Sequence, residues 1–203
     1  MPFFVVVAFQ ARPGRVDTLL SAIRSDLAAS ASRSPSRRFA RVYQHHSDAT
    51  RLFAIEEWQQ QADFDRYTNS VAYADAVIEC TSAPRADALE RLQHYRHMPH
   101  APAFLSCATI TAPADRASDV EDFICDRQRR DALTADGLVL RAVYRVAGSP
   151  GRLLVLHGWR NLEDLKVFAE TFDRSVASAL TPLGATLEQF TGLIAAEYSW
   201  LAS

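Results

Sequence analysis

The chain repeats itself. Displaced by 101 residues, the step from Trp58 to Trp159, the sequence falls on itself without a gap. Val42-Tyr43 lands on Val143-Tyr144, Arg51-Leu52 on Arg152-Leu153, and Asp63 on Asp164. Phe3 meets Phe104 and Ile23 meets Ile124. Between 40 and 58 five positions are identical, and Phe53, Ala54 and Ile55 exchange one apolar residue for another. A fixed period of this kind is the mark of a structural unit used twice. The units run 1–98 and 103–203. The joint is Arg96-His97-Met98-Pro99-His100-Ala101-Pro102, whose prolines resist both helix and central strand.

Each unit reads as β-α-β-β-α-β. In the first, Phe3 to Ala11 is a nearly continuous apolar run, as suits a strand covered on both faces. Pro13-Gly14 opens a helix that carries Val16, Leu19, Leu20, Ile23 and Leu27 at helical spacing. Ser30 to Arg38, with Pro35, reads as a polar loop. Phe39 to His46 and Arg51 to Trp58 are strands joined by Ser47-Asp48-Ala49-Thr50. Gln60 to Cys80 is helical with a break near Asn69-Ser70, and Ala86 to Tyr95 is a weaker last strand. The second unit repeats this order. Pro113 starts a helix with Val120, Phe123 and Ile124, and a later helix aligns Leu165, Phe168, Phe172, Val176 and Leu180. Thr186 to Tyr198 is its last strand. The order is that of the ferredoxin-like plait. The fold class is therefore α+β, with two tandem ferredoxin-like units. Each would cover one sheet face with helices and leave the other apolar, through Phe53 and Ile55 or Leu154 and Leu156. Those apolar faces are expected to pack into an α+β barrel within the chain.

Composition narrows the partners. A net charge of −2 provides no basic field for nucleic acid or anionic lipid. The longest apolar run, Phe3 to Phe9, is far short of the roughly 20 residues of a membrane span. It reads as a strand rather than a leader. Three cysteines in no metal or redox spacing suit a reducing, cytoplasmic setting. Lys166 is the single lysine among 22 basic residues, a usage expected of a GC-rich bacterial coding sequence.

The two segments Arg51-Leu52-Phe53-Ala54-Ile55-Glu56-Glu57-Trp58 and Arg152-Leu153-Leu154-Val155-Leu156-His157-Gly158-Trp159 carry a resemblance. Each is a strand ending in Trp, followed by a helix with Asp63-Phe64 or Asp164-Leu165. They resemble the dimeric α+β barrel superfamily, and within it the antibiotic-biosynthesis monooxygenase-like domains, over nearly the whole chain. The resemblance implies a ligand cleft between sheet and helices. It allows a cofactor-independent oxygenase acting on a small aromatic or polyketide-type substrate. It equally allows a non-catalytic small-ligand-binding or assembly protein. The family's functional residues carry over poorly. Where the aromatic-oxygenating branch has Asn, Tyr and His, this chain has Ala54, Phe64 and Gln44, and in the second unit Val155, Leu165 and Arg145. The haem-degrading set falls on Val7, Tyr67 and Val77, and on Ala108, Phe168 and Ser178. Hence no haem is expected. With no nucleotide fingerprint and no paired-cysteine site, no flavin and no metal are expected either.

The residues offer a small set of candidates. Strand period puts Leu52, Ala54, Glu56 and Trp58 on one face, and Leu153, Val155, His157 and Trp159 on the matching one. Glu56 and His157 are the candidate acid–base groups. A carboxyl in a dry cleft has a raised pKa, and imidazole titrates near neutrality. The alternative is that both sit at a strand end, exposed or bonded to backbone. Trp58, Tyr67, Asn69, Tyr73 and Trp159 are the candidate substrate-binding groups, with amphipathic helix packing and strand-end lids as the competing roles. The first unit has the more polar surroundings, since Phe168 and Glu170 replace Tyr67 and Asn69. His45 and His46 belong to a hairpin end and point to opposite faces. The expected partner is a small hydrophobic or aromatic ligand. The reading leaves room for a homodimer beyond the pseudo-dimer formed inside the chain.

Overall fold

A computed structural model describes residues 2–96, 102–131 and 137–199. The first unit comprises residues 1–89 with 193–203, and the second residues 90–192. The strands are β1 (Phe3–Gln10), β2 (Arg37–His45), β3 (Arg51–Trp58), β4 (Arg85–Arg96), β5 (Phe104–Thr111), β6 (Leu138–Val146), β7 (Arg152–Trp159) and β8 (Thr186–Ser199). Among the described residues six α-helices accompany them: α1 (Val16–Ala28), α2 (Ser30–Arg33), α3 (Gln61–Thr68), α4 (Val71–Ile78), α5 (Ala117–Asp131) and α6 (Leu162–Leu180). The class is α+β. In the first unit β3 pairs with β1 and β2, and β1 with β4; in the second β7 pairs with β5 and β6; all of these pairs are antiparallel.

The period in the sequence is a period in the structure. β1 and β5, β2 and β6, β3 and β7, α3 and α6, and β4 and β8 begin 101 residues apart. The pairing registers agree as well. Phe3 stands opposite Trp58 as Phe104 stands opposite Trp159. A bulge at Arg37/Phe39 recurs at Leu138/Leu140.

In the first unit, α1 lays Leu19, Leu20, Ile23 and Leu27 on Val5, Val7 and Phe9 of β1 and on Leu52, Ala54 and Trp58 of β3. Each fully buried side chain of this size contributes about 1.5–3 kcal/mol. α1 begins at Val16, after a turn in which Gly14 takes a φ of +74°, a backbone state that suits glycine. The segment read as a polar loop instead contains α2 and the start of β2, whose first residue, Arg37, is wholly buried. The bulge after Arg37 is the physical reason, because it breaks the alternation that would have turned this side chain outward. β2 ends at His45, so the alternation expected for His45 and His46 does not reach His46. Their rings stack 5.3 Å apart.

The helical stretch after β3 does break where Asn69-Ser70 predicts. Ser70 caps α4 by accepting from the Tyr73 amide. Ser70→Ala should lower stability by about 1 kcal/mol in thermal melting; no loss would show that the cap is idle. The far end of α4 is held by Glu79, whose carboxylate takes two bonds from Arg15 at 2.6 and 2.8 Å. Past it, the Thr81 amide donates to the Gln10 carbonyl.

In the second unit, β5 and β7 pack Ala108, Ile110, Leu153 and Val155 on Val120 and Ile124 of α5 and Val176 and Leu180 of α6. Pro113 precedes a short 3-10 turn, so α5 starts only at Ala117. α6 is unbroken over 19 residues. A Cβ on Gly158 would come within 2.6 Å of Pro102, which accounts for glycine where the first unit has Glu57. The chain joint at 97–101 and the Phe172 side chain lie outside the described residues.

Candidate functional site

The end of β3 builds the site. Strand period sends Leu52, Ala54, Glu56 and Trp58 to the helix-covered face, and Leu52, Ala54 and Trp58 are found there. Glu56 is 6% exposed and Trp58 1%. The Trp58 indole Nε1 donates to Glu56 Oε2 at 2.9 Å. That oxygen lies 3.5 Å from Arg37 Nε. Arg37 Nη1 donates to Asp26 Oδ2 at 2.7 Å and to Ser30 Oγ at 2.8 Å. Tyr67, from α3, donates its hydroxyl to the same Asp26 oxygen at 3.0 Å. The guanidinium also lies over two rings, 4.7 Å from the Trp58 centroid and 4.2 Å from that of Tyr67. Such contacts favour a desolvated cation.

One cation thus faces two carboxyls in a dry setting. Burial works against the Arg37 charge, but Glu56, Tyr67 and Asp26 more than offset it and raise its pKa. The surplus negative charge falls on Glu56. Burial pushes its carboxyl above the usual range, against the opposing pull of Arg37 and the Trp58 N–H. Burial raises the Tyr67 phenol strongly, and pushes that of Tyr73 up to about 12. Both tyrosines are therefore neutral donors at ordinary pH.

Above this cluster opens a cleft of about 760 Å³. Its walls include Asp26 from α1, Pro35 from the following loop, Trp58, Tyr67 of α3 and Val71 of α4. The Trp58 and Tyr67 rings stand 5.2 Å apart at 35°, an aromatic surface with a carboxylate beside it. Of the residues singled out from sequence, Trp58 and Tyr67 line the cleft. Glu56 lies behind Trp58. Tyr73 is half-buried and meets the Tyr67 ring edge-on at 5.4 Å. Asn69 is exposed and donates to the Asp65 carbonyl at 2.7 Å. Asp26 and Arg37 were not among the sequence candidates. Asp26 carried a signal, since it interrupts the apolar stripe between Ile23 and Leu27. Arg37 carried none within the run Arg33-Ser34-Pro35-Ser36-Arg37-Arg38.

The corresponding place in the second unit is built differently. Leu138 takes the place of Arg37 opposite the Trp, and Phe168 that of Tyr67. Leu138, Trp159 and Leu165 pack together against Phe104 and Phe168. His157 is 1% exposed. Its Nε2 lies 3.0 Å from Gln128 Oε1, and Arg141 donates to the Gln128 carbonyl at 2.6 Å. Burial, then the nearby Arg141 charge, holds His157 well below the usual imidazole pKa. A neutral ring beside an amide oxygen donates from Nε2. Trp159 Nε1 has no hydrogen-bond partner among the described residues, whereas its counterpart Trp58 has Glu56.

Among the described residues no group of three or more His, Cys, Asp or Glu could hold a metal ion, and no helix is long and apolar enough to cross a membrane. Residues 2–78 match the family described as antibiotic biosynthesis monooxygenase. No curated protein matches the chain significantly. Solved structures resemble it over nearly its full length. A candidate monooxygenase from Fusobacterium nucleatum is 9% identical, with a TM-score of 0.77 over 98% of this chain and 94% of that one. A candidate monooxygenase from Lactobacillus acidophilus is 8% identical, with a TM-score of 0.71 over 98% and 96%. An anthrone oxidase-like protein is 10% identical, with a TM-score of 0.75 over 98% and 93%. At such identities the likeness is one of fold.

Proposed function

We propose, from the match of residues 2–78 to the antibiotic biosynthesis monooxygenase family, that the chain is a monooxygenase-like protein that needs no cofactor. In this reading it holds a small aromatic or polyketide-type substrate in the first-unit cleft. The observation that carries this reading is the cleft itself, with its Trp58–Tyr67 surface and the Asp26 carboxylate at its wall. Aromatic side chains of this kind suit a flat apolar ligand. The chemistry asked of the protein is modest. An activated methylene of the substrate loses a proton, the carbanion reduces dioxygen, and the resulting hydroperoxide loses water to leave a ketone. The atoms balance as CH2 plus O2 giving C=O plus H2O. The chain supplies orientation and exclusion of water. Glu56 acts as a positioning residue, since it fixes the Trp58 indole and shares the Arg37 charge.

A non-catalytic ligand-binding protein is the second reading. It is favoured by one observation. At the positions where the resemblance places a functional Asn and Tyr, Ala54 and Phe64 are core residues, both buried.

The test is aerobic incubation of the purified chain with a hydroxylated anthrone and no added cofactor. Dioxygen uptake matched by quinone formation is expected, with kcat/KM at least tenfold lower for Trp58→Phe, about 1.4 kcal/mol. Binding without uptake would move the protein to the second reading.

A further inference from the structure

Both bonds to the Asp26 carboxylate, from Arg37 and from Tyr67, end on one oxygen, Oδ2. Oδ1 has no hydrogen bond among the described residues. The residue is only 7% exposed, and it lines the cleft. Oδ1 is not among the wholly buried unpartnered atoms, so its lone pairs are reached from the cleft and are open to a donor there. Arg37, itself wholly buried, holds the group in place. The same oxygen position also bears on what can enter. A ligand hydroxyl can donate to it, an ether cannot, and an anion is repelled by it.

We propose that Asp26 Oδ1 is the ligand-anchoring acceptor of this cleft and that it selects aromatic ligands carrying a free phenolic or enolic hydroxyl. The inference rests on the cleft being the ligand site, as proposed above, and adds the recognition element. A site built around a hydrogen-bonding group rejects the analogue lacking it far more strongly than an apolar wall rejects one extra methyl. No bond to the substrate is made or broken in this step. The contact orients the hydroxyl-bearing ring between Trp58 and the loop at Pro35.

Three ligands of one skeleton separate the possibilities: a naphthalenediol, its dimethyl ether, and the corresponding dicarboxylate. Binding to the full chain is measured by equilibrium dialysis without oxygen at neutral pH. The diol should bind at least roughly tenfold more tightly than the ether, and the dicarboxylate should bind more weakly than both. The triple variant Asp26→Leu/Arg37→Leu/Glu56→Gln removes the anchor, the counter-ion and the second carboxyl that this cation serves, and so leaves no charge stranded. In it the preference for diol over ether should vanish while the ether still binds. Circular dichroism reports whether that variant folds, and the wild-type ligand series stands without it. Equal binding of diol and ether, or a dicarboxylate that binds more tightly than the diol, overturns the anchor and leaves the cleft reading intact. Failure of all three to bind overturns the cleft reading, and the anchor with it.

Discussion

Arg37→Leu should lower the unfolding free energy by about 3–5 kcal/mol, because it strands the Asp26 and Glu56 carboxyls in a dry interior without their cation. Leucine has room there in principle, since Leu138 occupies the corresponding position in the second unit. The loss therefore reports charge rather than shape. A chain of this size should melt roughly 6–20 °C lower, at about 2–4 °C per kcal/mol. Adding Asp26→Leu and Glu56→Gln to the same chain should recover most of it. A single variant within about 1 kcal/mol of the wild type would mean that water reaches the cluster and that the ion pairs are weak surface pairs.

The second large effect is acid lability from His157. Its folded-state pKa lies well below the usual value of 6.5. The unfolded chain thus takes up a proton near 6.5 that the folded chain refuses. Stability from this group is complete above that pH. It falls with decreasing pH by up to about 1.4 kcal/mol per unit, until the folded-state pKa is reached. Glu56 acts with the opposite sign. Its raised carboxyl lets the unfolded chain lose a proton first, so stability declines as pH rises above the usual glutamate value of 4.5. The two slopes oppose each other between those limits. Comparison with His157→Gln isolates the first: the wild type should lose stability relative to this variant as pH is lowered from 7. Denaturant midpoints measured at several pH values check it. Parallel curves for the two proteins would show that His157 titrates as an exposed imidazole does.

The architecture was legible because its cues are periodic. The 101-residue step, the alternation in β3 and β7 and the apolar stripe of α1 each repeat over several residues, and each appears as read. The glycine and proline positions supplied the turns. The charged cluster was illegible for the opposite reason. Arg37 turns inward through a single bulge, which leaves no trace in a run of Arg, Ser and Pro. Asp26 was visible as a carboxylate among Leu19, Ile23 and Leu27, but its partner was needed to make sense of it. Glu56 was read as the polar group beside Trp58, and it does bond the indole. Which face of Trp58 the ligand space adjoins depends on the loop at Pro35 and on α4, neither of which has a pattern of its own.

The break at Asn69-Ser70 divides what is one long helix in the second unit into two of eight residues each. Helices that short do not hold together on their own. Of its own residues α4 buries only Ala76, and it is fastened at its Glu79 end. The wall of the cleft that carries Val71 is therefore held by little more than Ser70 and the Tyr67–Tyr73 ring contact. Opening that wall requires the rupture of few bonds and leaves the sheet untouched, although it parts the start of α4 from its neighbours, so it should be a sub-global event of low free energy. Amide hydrogens at the start of α4 should accordingly exchange with solvent deuterium long before those of α1. The entrance to the cleft is then a local melting equilibrium, whose free energy sets how often a ligand finds it open.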